Sequence, residues 1–207
     1  MNQHHREGLL LVVSGPAGVG KGTIDRVLLE RHDNMKLSVS ATTRAPRPGE
    51  INGVHYFFIG DTQFRSMIDN GEFLEYTQVF NMNYYGTPRK FVEDEIAAGR
   101  DVLLEIDVQG AMNIRASYPD AVLVFIAPPS MGELKSRLVG RGTETPEAIE
   151  RRFATAYKEL GYLDKYDYVV VNDVLDSAIQ EMESIIRAEK CRTARNASLL
   201  KKLQEGN

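Results

Sequence analysis

The chain has 207 residues, 43% hydrophobic and 26% charged, which is enough apolar material for one well-buried core and too much for a chain that stays disordered. Its formal net charge of −4 argues against a nucleic-acid-binding surface, although a small anion needs only local positive charge. No apolar stretch approaches the roughly 20 residues that span a bilayer, so no membrane partner is expected.

The amino end, MNQHHREG, is polar, resembles no export signal and reads as a solvated tail, His4 and His5 included. Residues 9–13 are a continuous apolar run of strand length. The turn that follows carries Gly15, Pro16, Ala17, Gly18, Val19 and Gly20, then Lys21, Gly22 and Thr23. It meets the phosphate-loop pattern G-x-x-x-x-G-K-[ST] at Gly15, Gly20 and Lys21, but Gly22 stands where the magnesium-binding hydroxyl belongs and Thr23 comes one residue late. A helix from Lys21 to about residue 31 would point its positive end at a polyanion such as the triphosphate of ATP. An ordinary strand-to-helix turn punctuated by glycine is the plainer alternative.

Four more apolar runs follow, at residues 37–41, 102–106, 121–127 and 168–171, with amphipathic segments between most of them. That alternation predicts an α/β fold, a parallel five-stranded sheet with helices on both faces. Between the second and third runs, residues 54–59 and 73–80 are rich in aromatic and β-branched side chains, flanked by turn-like RPGEING and MNYYGTP, which predicts a small, mixed β insertion. Arg44 and Arg47 lie three apart there and suit a phosphate monoester, or equally a solvated loop. Tyr56 and Tyr85 suit either a core or a site, whereas Glu75, between apolar neighbours in FLEYTQVF, must find donors or face solvent.

Further along, Ser130 with Glu133 forms a capping-box pattern, and Thr145 before Pro146 and Glu147 suits a helix entrance. Residues 138–152 bear arginines, with Gly140 and Gly142 able to serve a moving flap; a pair of surface helices with solvated charges fits them as well. Cys191 is the lone cysteine, which precludes an internal disulfide and is compatible with a reducing, cytoplasmic compartment. The cluster Leu199, Leu200 and Leu203 fits a docking helix or a frayed tail, leaving monomer and homo-oligomer equally open.

Taken together and in order, SGPAGVGKGT, SVSATTRAPRPGEINGVHYFF, FLEYTQVFNMNYYGTP, LLEIDVQGA, FIAPPS and RLVGRGTETPE make the chain resemble the guanylate kinases over residues 9–190. The resemblance implies a three-layer P-loop NTPase core (residues 9–36, 89–137 and 153–190), a GMP-binding insertion near 37–88, a short helical lid near 138–152 and a tail at 191–207. It further implies transfer of the terminal phosphoryl group of ATP to GMP, and to dGMP, with Mg2+, in purine nucleotide metabolism. By the same resemblance Arg44, Arg47, Tyr56 and Tyr85 take the GMP phosphate, the Tyr85 ring also packing on guanine, while Ser40, Glu75, Thr87 and Asp107 go to the base or its surroundings. Ser40 and Thr87 could donate hydroxyl hydrogen bonds to the guanine carbonyl. Residues 15–23 take the ATP phosphates, Lys21, Arg137, Arg141 and Arg152 act on the transferring group, and Asn172 sits near adenine.

The departure at Gly22 leaves the metal to substrate phosphates, water and either Glu105 or Asp107, which alternate-strand spacing would put on one face of the sheet. Two other functions compete: a non-catalytic guanylate-kinase-like module that holds a phosphopeptide, and a kinase for a phosphorylated sugar. The module has no use for Lys21 or the lid arginines, and Glu75 with Tyr85 and Thr87 favours a purine over a sugar.

Overall fold

The computed structural model describes residues 7–79, 82–140 and 145–205. In chain order the first elements are β1 (Leu10–Ser14), α1 (Lys21–Arg31), β2 (Met35–Leu37), β3 (Ala41–Thr42), β4 (Phe57–Phe58), α2 (Asp61–Asp69), β5 (Phe73–Val79) and β6 (Asn83–Pro88). There follow α3 (Arg89–Ala97), β7 (Asp101–Glu105), α4 (Val108–Ser117), β8 (Val122–Ala127), α5 (Met131–Gly140), α6 (Pro146–Leu160), β9 (Tyr168–Val171), α7 (Leu175–Lys190) and α8 (Ala197–Glu205).

Five strands form a parallel sheet in the order β2-β7-β1-β8-β9, with β1 in the middle. Its inner strands β7, β1 and β8 carry near-continuous apolar runs because both of their faces are covered. Leu11 and Val13 of β1 pack on one side with Ile24 and Leu28 of α1 and Ile179 and Met182 of α7. Leu10 and Val12 pack on the other with Val92 and Ile96 of α3 and Ala111 and Ile114 of α4. Helix, sheet and helix make the three layers that the sequence predicts. Because the connection from β1 runs to β2 on one side while that from neighbouring β7 runs to β8 on the other, a crevice opens at the carboxyl ends of β1 and β7.

Three elements differ from the sequence reading. The run at residues 37–41 is divided: Leu37 ends β2, the Ser38 amide still donates to Leu103 of the core sheet, and Ala41 begins β3 in a second sheet. MNYYGTP is a strand rather than a turn, since Tyr84 and Tyr85 suit a pleated surface and β6 is paired on both sides, by β3 and β5. Helix α2 was not anticipated; its Phe64 stacks on Phe73 at 4.4 Å and Tyr84 at 5.3 Å and forms the small core of the insertion. The four-stranded second sheet, β4-β3-β6-β5, mixes parallel and antiparallel pairs. Both predicted helix entrances are present: the Ser130 hydroxyl accepts from the Glu133 amide at 3.1 Å, and Thr145 caps α6 by accepting from Ala148 at 3.3 Å. Among the described residues no helix is long and apolar enough to cross a membrane.

Candidate active site

The turn after β1 bends where glycine alone is comfortable. Gly15 has φ 143° and lies so close to the Ile126 carbonyl that a Cβ would collide with it. Gly20 caps α1 with φ 99°, and a Cβ there would stand 2.5 Å from the Asn172 amide nitrogen. That amide donates to the Val19 carbonyl at 2.8 Å, so the buried Asn172 straps the loop from the end of β9. Its own carbonyl accepts from Arg137 at 3.0 Å, and Arg137 also reaches Glu133 at 2.9 Å, which ties α5 to the same corner. Lys21 arches back over the loop and donates to the Gly15 carbonyl at 2.7 Å and the Pro16 carbonyl at 3.3 Å. Thr23 opens α1 with its amide on Gly20, and Gly18 packs against Leu134 and Leu138 of α5.

A cavity of about 330 Å3 joins this loop to the second sheet. Gly15, Ala17 and Lys21 face Ser40, Arg44, Arg47, Tyr56, Glu75 and Tyr85 across it, with Glu105 and Asp107 on its floor. The Arg44 guanidinium forks onto Glu50 with two 2.9 Å bonds, donates to the Tyr85 hydroxyl at 3.2 Å and lies 5.4 Å from the centre of the Tyr56 ring. This fork holds the Glu50 carboxyl down at about 2 and raises the Arg44 pKa, while burial raises that of Tyr56. Glu50, which the sequence reading passed over as part of a turn, therefore sets the direction of the first arginine.

Glu75 is buried, and only one of its oxygens is served: Oε1 accepts from the Thr87 hydroxyl at 2.8 Å, whereas Oε2 has no hydrogen-bond partner among the described residues. Burial pushes its carboxyl up to about 7; the Thr87 hydroxyl opposes the rise and the charge of Asp107 adds to it. Thr87 itself is fully buried, and its hydroxyl proton is committed to Glu75, so it orients the carboxylate and is not available to donate to a guanine carbonyl. Ser40 and Thr77 bring further hydroxyls to the cavity wall.

Asp107 lies beyond the end of β7, not within it, so the shared sheet face expected from alternate spacing does not apply. It caps α4, its Oδ1 accepting from the Gly110 amide at 2.7 Å. Glu105 ends the strand, with Oε2 3.5 Å from where a Cβ on Gly22 would sit. Asp25 of α1 is buried beside it: burial raises its carboxyl well above the ordinary range, Glu105 adds to that rise and Lys21 opposes it. Among the described residues no three His, Cys, Asp or Glu side chains are gathered around one point as a metal cage. Two carboxylates beside a phosphate loop nevertheless fit Mg2+, which keeps much of its water and shares the phosphates of its substrate.

Arg152 lines an adjoining cavity with Lys158 and Tyr162 of the α6 region, and Arg141 lies outside the described residues. Glu159, which the sequence reading missed, faces both cavities; burial raises its carboxyl, with Lys21 opposing. Its position in YKEL on a charged amphipathic helix gives no cue to that placement.

The family model described as guanylate kinase matches residues 7–189. This chain belongs to the guanylate kinase family. It is 50% identical over 200 residues to a guanylate kinase of Caldanaerobacter subterraneus subsp. tengcongensis, covering 97% of each chain. It is 50% identical over 195 residues to one from Clostridioides difficile, covering 94% of this chain and 95% of that one. The crystal structure of guanylate kinase from Anaplasma phagocytophilum superposes with a TM-score of 0.78 at 36% identity over 95% of both chains. Within a guanylate kinase frame the loop after β1 and the second sheet are the two walls of one cleft, and the cavity described above lies between them.

Proposed function

We propose that the protein is an ATP:GMP phosphotransferase, moving the γ-phosphoryl group of ATP to GMP, and to dGMP, to give ADP and GDP. The observation that carries the substrate choice is the buried Glu75 carboxylate with one oxygen unserved, in a cavity shared with the phosphate loop. Guanine presents a ring N–H beside an exocyclic amine, two parallel donors that match one carboxylate. Adenine would set a lone pair against it, and a site built for hydrogen bonds can reject such an analogue by about 10⁴-fold or more.

On the acceptor side, Arg44, Arg47, Tyr56 and Tyr85 hold the GMP phosphate, with Arg44 exchanging its fork on Glu50 for phosphate oxygens. Ser40, Glu75 and Asp107 surround the base, and Thr87 positions Glu75. On the donor side, residues 15–23 take the ATP phosphates, and Asn172, expected near adenine, also acts through the loop that it straps. The GMP phosphate oxygen is already largely ionised near neutral pH, so it attacks the γ-phosphorus in line without a dedicated base, and ADP leaves. Catalysis is then alignment and charge neutralisation by Lys21, Arg137, Arg141 and Arg152; a well-placed arginine contributes about 10³ to 10⁵ in rate, roughly 4 to 7 kcal/mol of barrier. Glu105 or Asp107, through water, would hold Mg2+, which would supply further charge neutralisation at the ATP phosphates.

Residues 37–88 serve as the GMP-binding unit and 138–152 as the lid, on a core of residues 9–36, 89–137 and 153–190, with 191–207 as a tail. A cytoplasmic site, where ATP is supplied and an exposed thiol such as Cys191 stays reduced, suits this activity. The donor assignment is tested by Lys21→Ala: turnover is expected to fall at least a hundredfold, on the order expected for loss of a charge-stabilising group, with the melting temperature unchanged. Wild-type turnover in that variant would contradict the assignment.

A further inference from the structure

Gly22 leaves the phosphate loop without its hydroxyl, and the space beside it is bounded by two carboxylates from different elements. Glu105 comes from the end of β7, with Oε2 3.5 Å from the position of a Cβ on residue 22. Asp25 comes from α1, three residues after Gly22 and so on the same side of that helix. It is only 3% exposed, and apart from the Glu105 carboxyl, with which it can bond only by sharing a proton, its oxygens meet no hydrogen-bond donor among the described residues. A carboxylate buried in this way is costly unless something positive or protic reaches it. The backbone at Gly22 is not in the left-handed region, and a Cβ there would make only ordinary contact with Glu105, so neither crowding nor conformation demands glycine.

We propose that Asp25 and Glu105 together form the protein's share of a hydrated Mg2+ site at the amino end of α1, where metal-bound water fills the place of the missing hydroxyl at Gly22. Mg2+ sheds its water reluctantly and is commonly held by one or two carboxylates together with substrate phosphates. Water standing in the gap left by Gly22 would donate to both carboxylates, replacing the proton that Asp25 and Glu105 otherwise share. Asp25 is thus a positioning residue acting through water and Glu105. The assignment rests on reading the loop as the donor-nucleotide site.

The test is a Mn2+ titration of the full chain with ADP, read by the paramagnetic resonance of free Mn2+, alongside ADP binding in EDTA. Asp25→Asn is expected to weaken Mn2+ by about 10- to 100-fold, the usual effect of losing a partner behind a metal ligand, while leaving metal-free ADP affinity unchanged. Glu105→Gln should do the same, which keeps the test decisive if the Asp25 variant folds poorly. Adding Gly22→Ser to Asp25→Asn should recover most of the lost Mn2+ affinity by restoring a hydroxyl. Wild-type Mn2+ affinity in Asp25→Asn or Glu105→Gln would overturn the proposal, leaving two carboxyls that merely share a proton. Failure of the wild-type protein to bind ADP, with or without metal, would instead overturn the donor-site reading and this proposal with it.

Discussion

Glu75 concentrates the specificity argument in one side chain. Its pKa rises from the ordinary 4.5 to about 7, so the folded protein favours the neutral carboxyl. The resulting stability is fully present below about pH 4.5 and lost as the pH climbs through 7; at about 1.4 kcal/mol per unit it amounts to about 3 kcal/mol. In the ligand-free protein, wild type should therefore lose up to about 3 kcal/mol more than Glu75→Gln between pH 4.5 and pH 8, as read from urea midpoints. Parallel pH curves would exclude the shift. Guanine needs the ionised carboxylate, so GMP binding at pH 7 should release roughly half a proton more from wild type than from Glu75→Gln, measured by calorimetry in buffers of different ionisation heat. The amide also turns a donor toward one of guanine's donors, and KM for GMP should rise about a hundredfold with KM for ATP little changed. An unchanged acceptor constant would remove Glu75 from the base site.

At the scale of elements, the phosphate loop depends on a side chain from the far end of the sequence. Asn172→Ala leaves the Val19 carbonyl without its 2.8 Å donor, and should cost about 1 to 3 kcal/mol of stability and raise KM for ATP more than KM for GMP. Equal effects on both substrates would show that the strap is not specific to the loop. The parts of the fold legible in the sequence were those whose local signals agreed with their surroundings. Four of the five core strands, β1, β7, β8 and β9, and α1 announced themselves by apolar runs and glycine spacing, and the entrances of α5 and α6 by Ser130 and Thr145. The division between β2 and β3 was hidden because one apolar run feeds two sheets, and β6 because Gly86 and Pro88 imitate a turn. Helix α2 could have been found from Phe64, Met67 and Ile68, spaced on one helical face. In the site, Arg44 and Glu75 were visible by type and spacing, whereas Glu50 gains its meaning from the fold of its own loop onto Arg44, and Glu159 and Asp25 from neighbours brought together by tertiary packing.

For the whole molecule, the cleft lies between a loop fixed to the core sheet and a second sheet with its own small core. On the proposed function two polyanionic substrates are enclosed there, with Arg152 of α6 lining the adjoining cavity. Binding of ADP and GMP together should therefore shrink the radius of gyration in solution scattering, each nucleotide alone doing less. Identical profiles would exclude closure. A phosphopeptide-binding module of the same fold would use the Arg44 side of the cleft and leave Lys21 without a task; a sugar-phosphate kinase would leave Glu75 without one. The most direct measurement is ADP release from ATP with GMP, AMP, dTMP or ribose 5-phosphate as acceptor. ADP formation with GMP at least about 10⁴-fold more efficient than with AMP, and negligible with the other two, is the expected outcome. No ADP with any acceptor, or a preference for ribose phosphate, would contradict a two-nucleotide site built around the phosphate loop and Glu75.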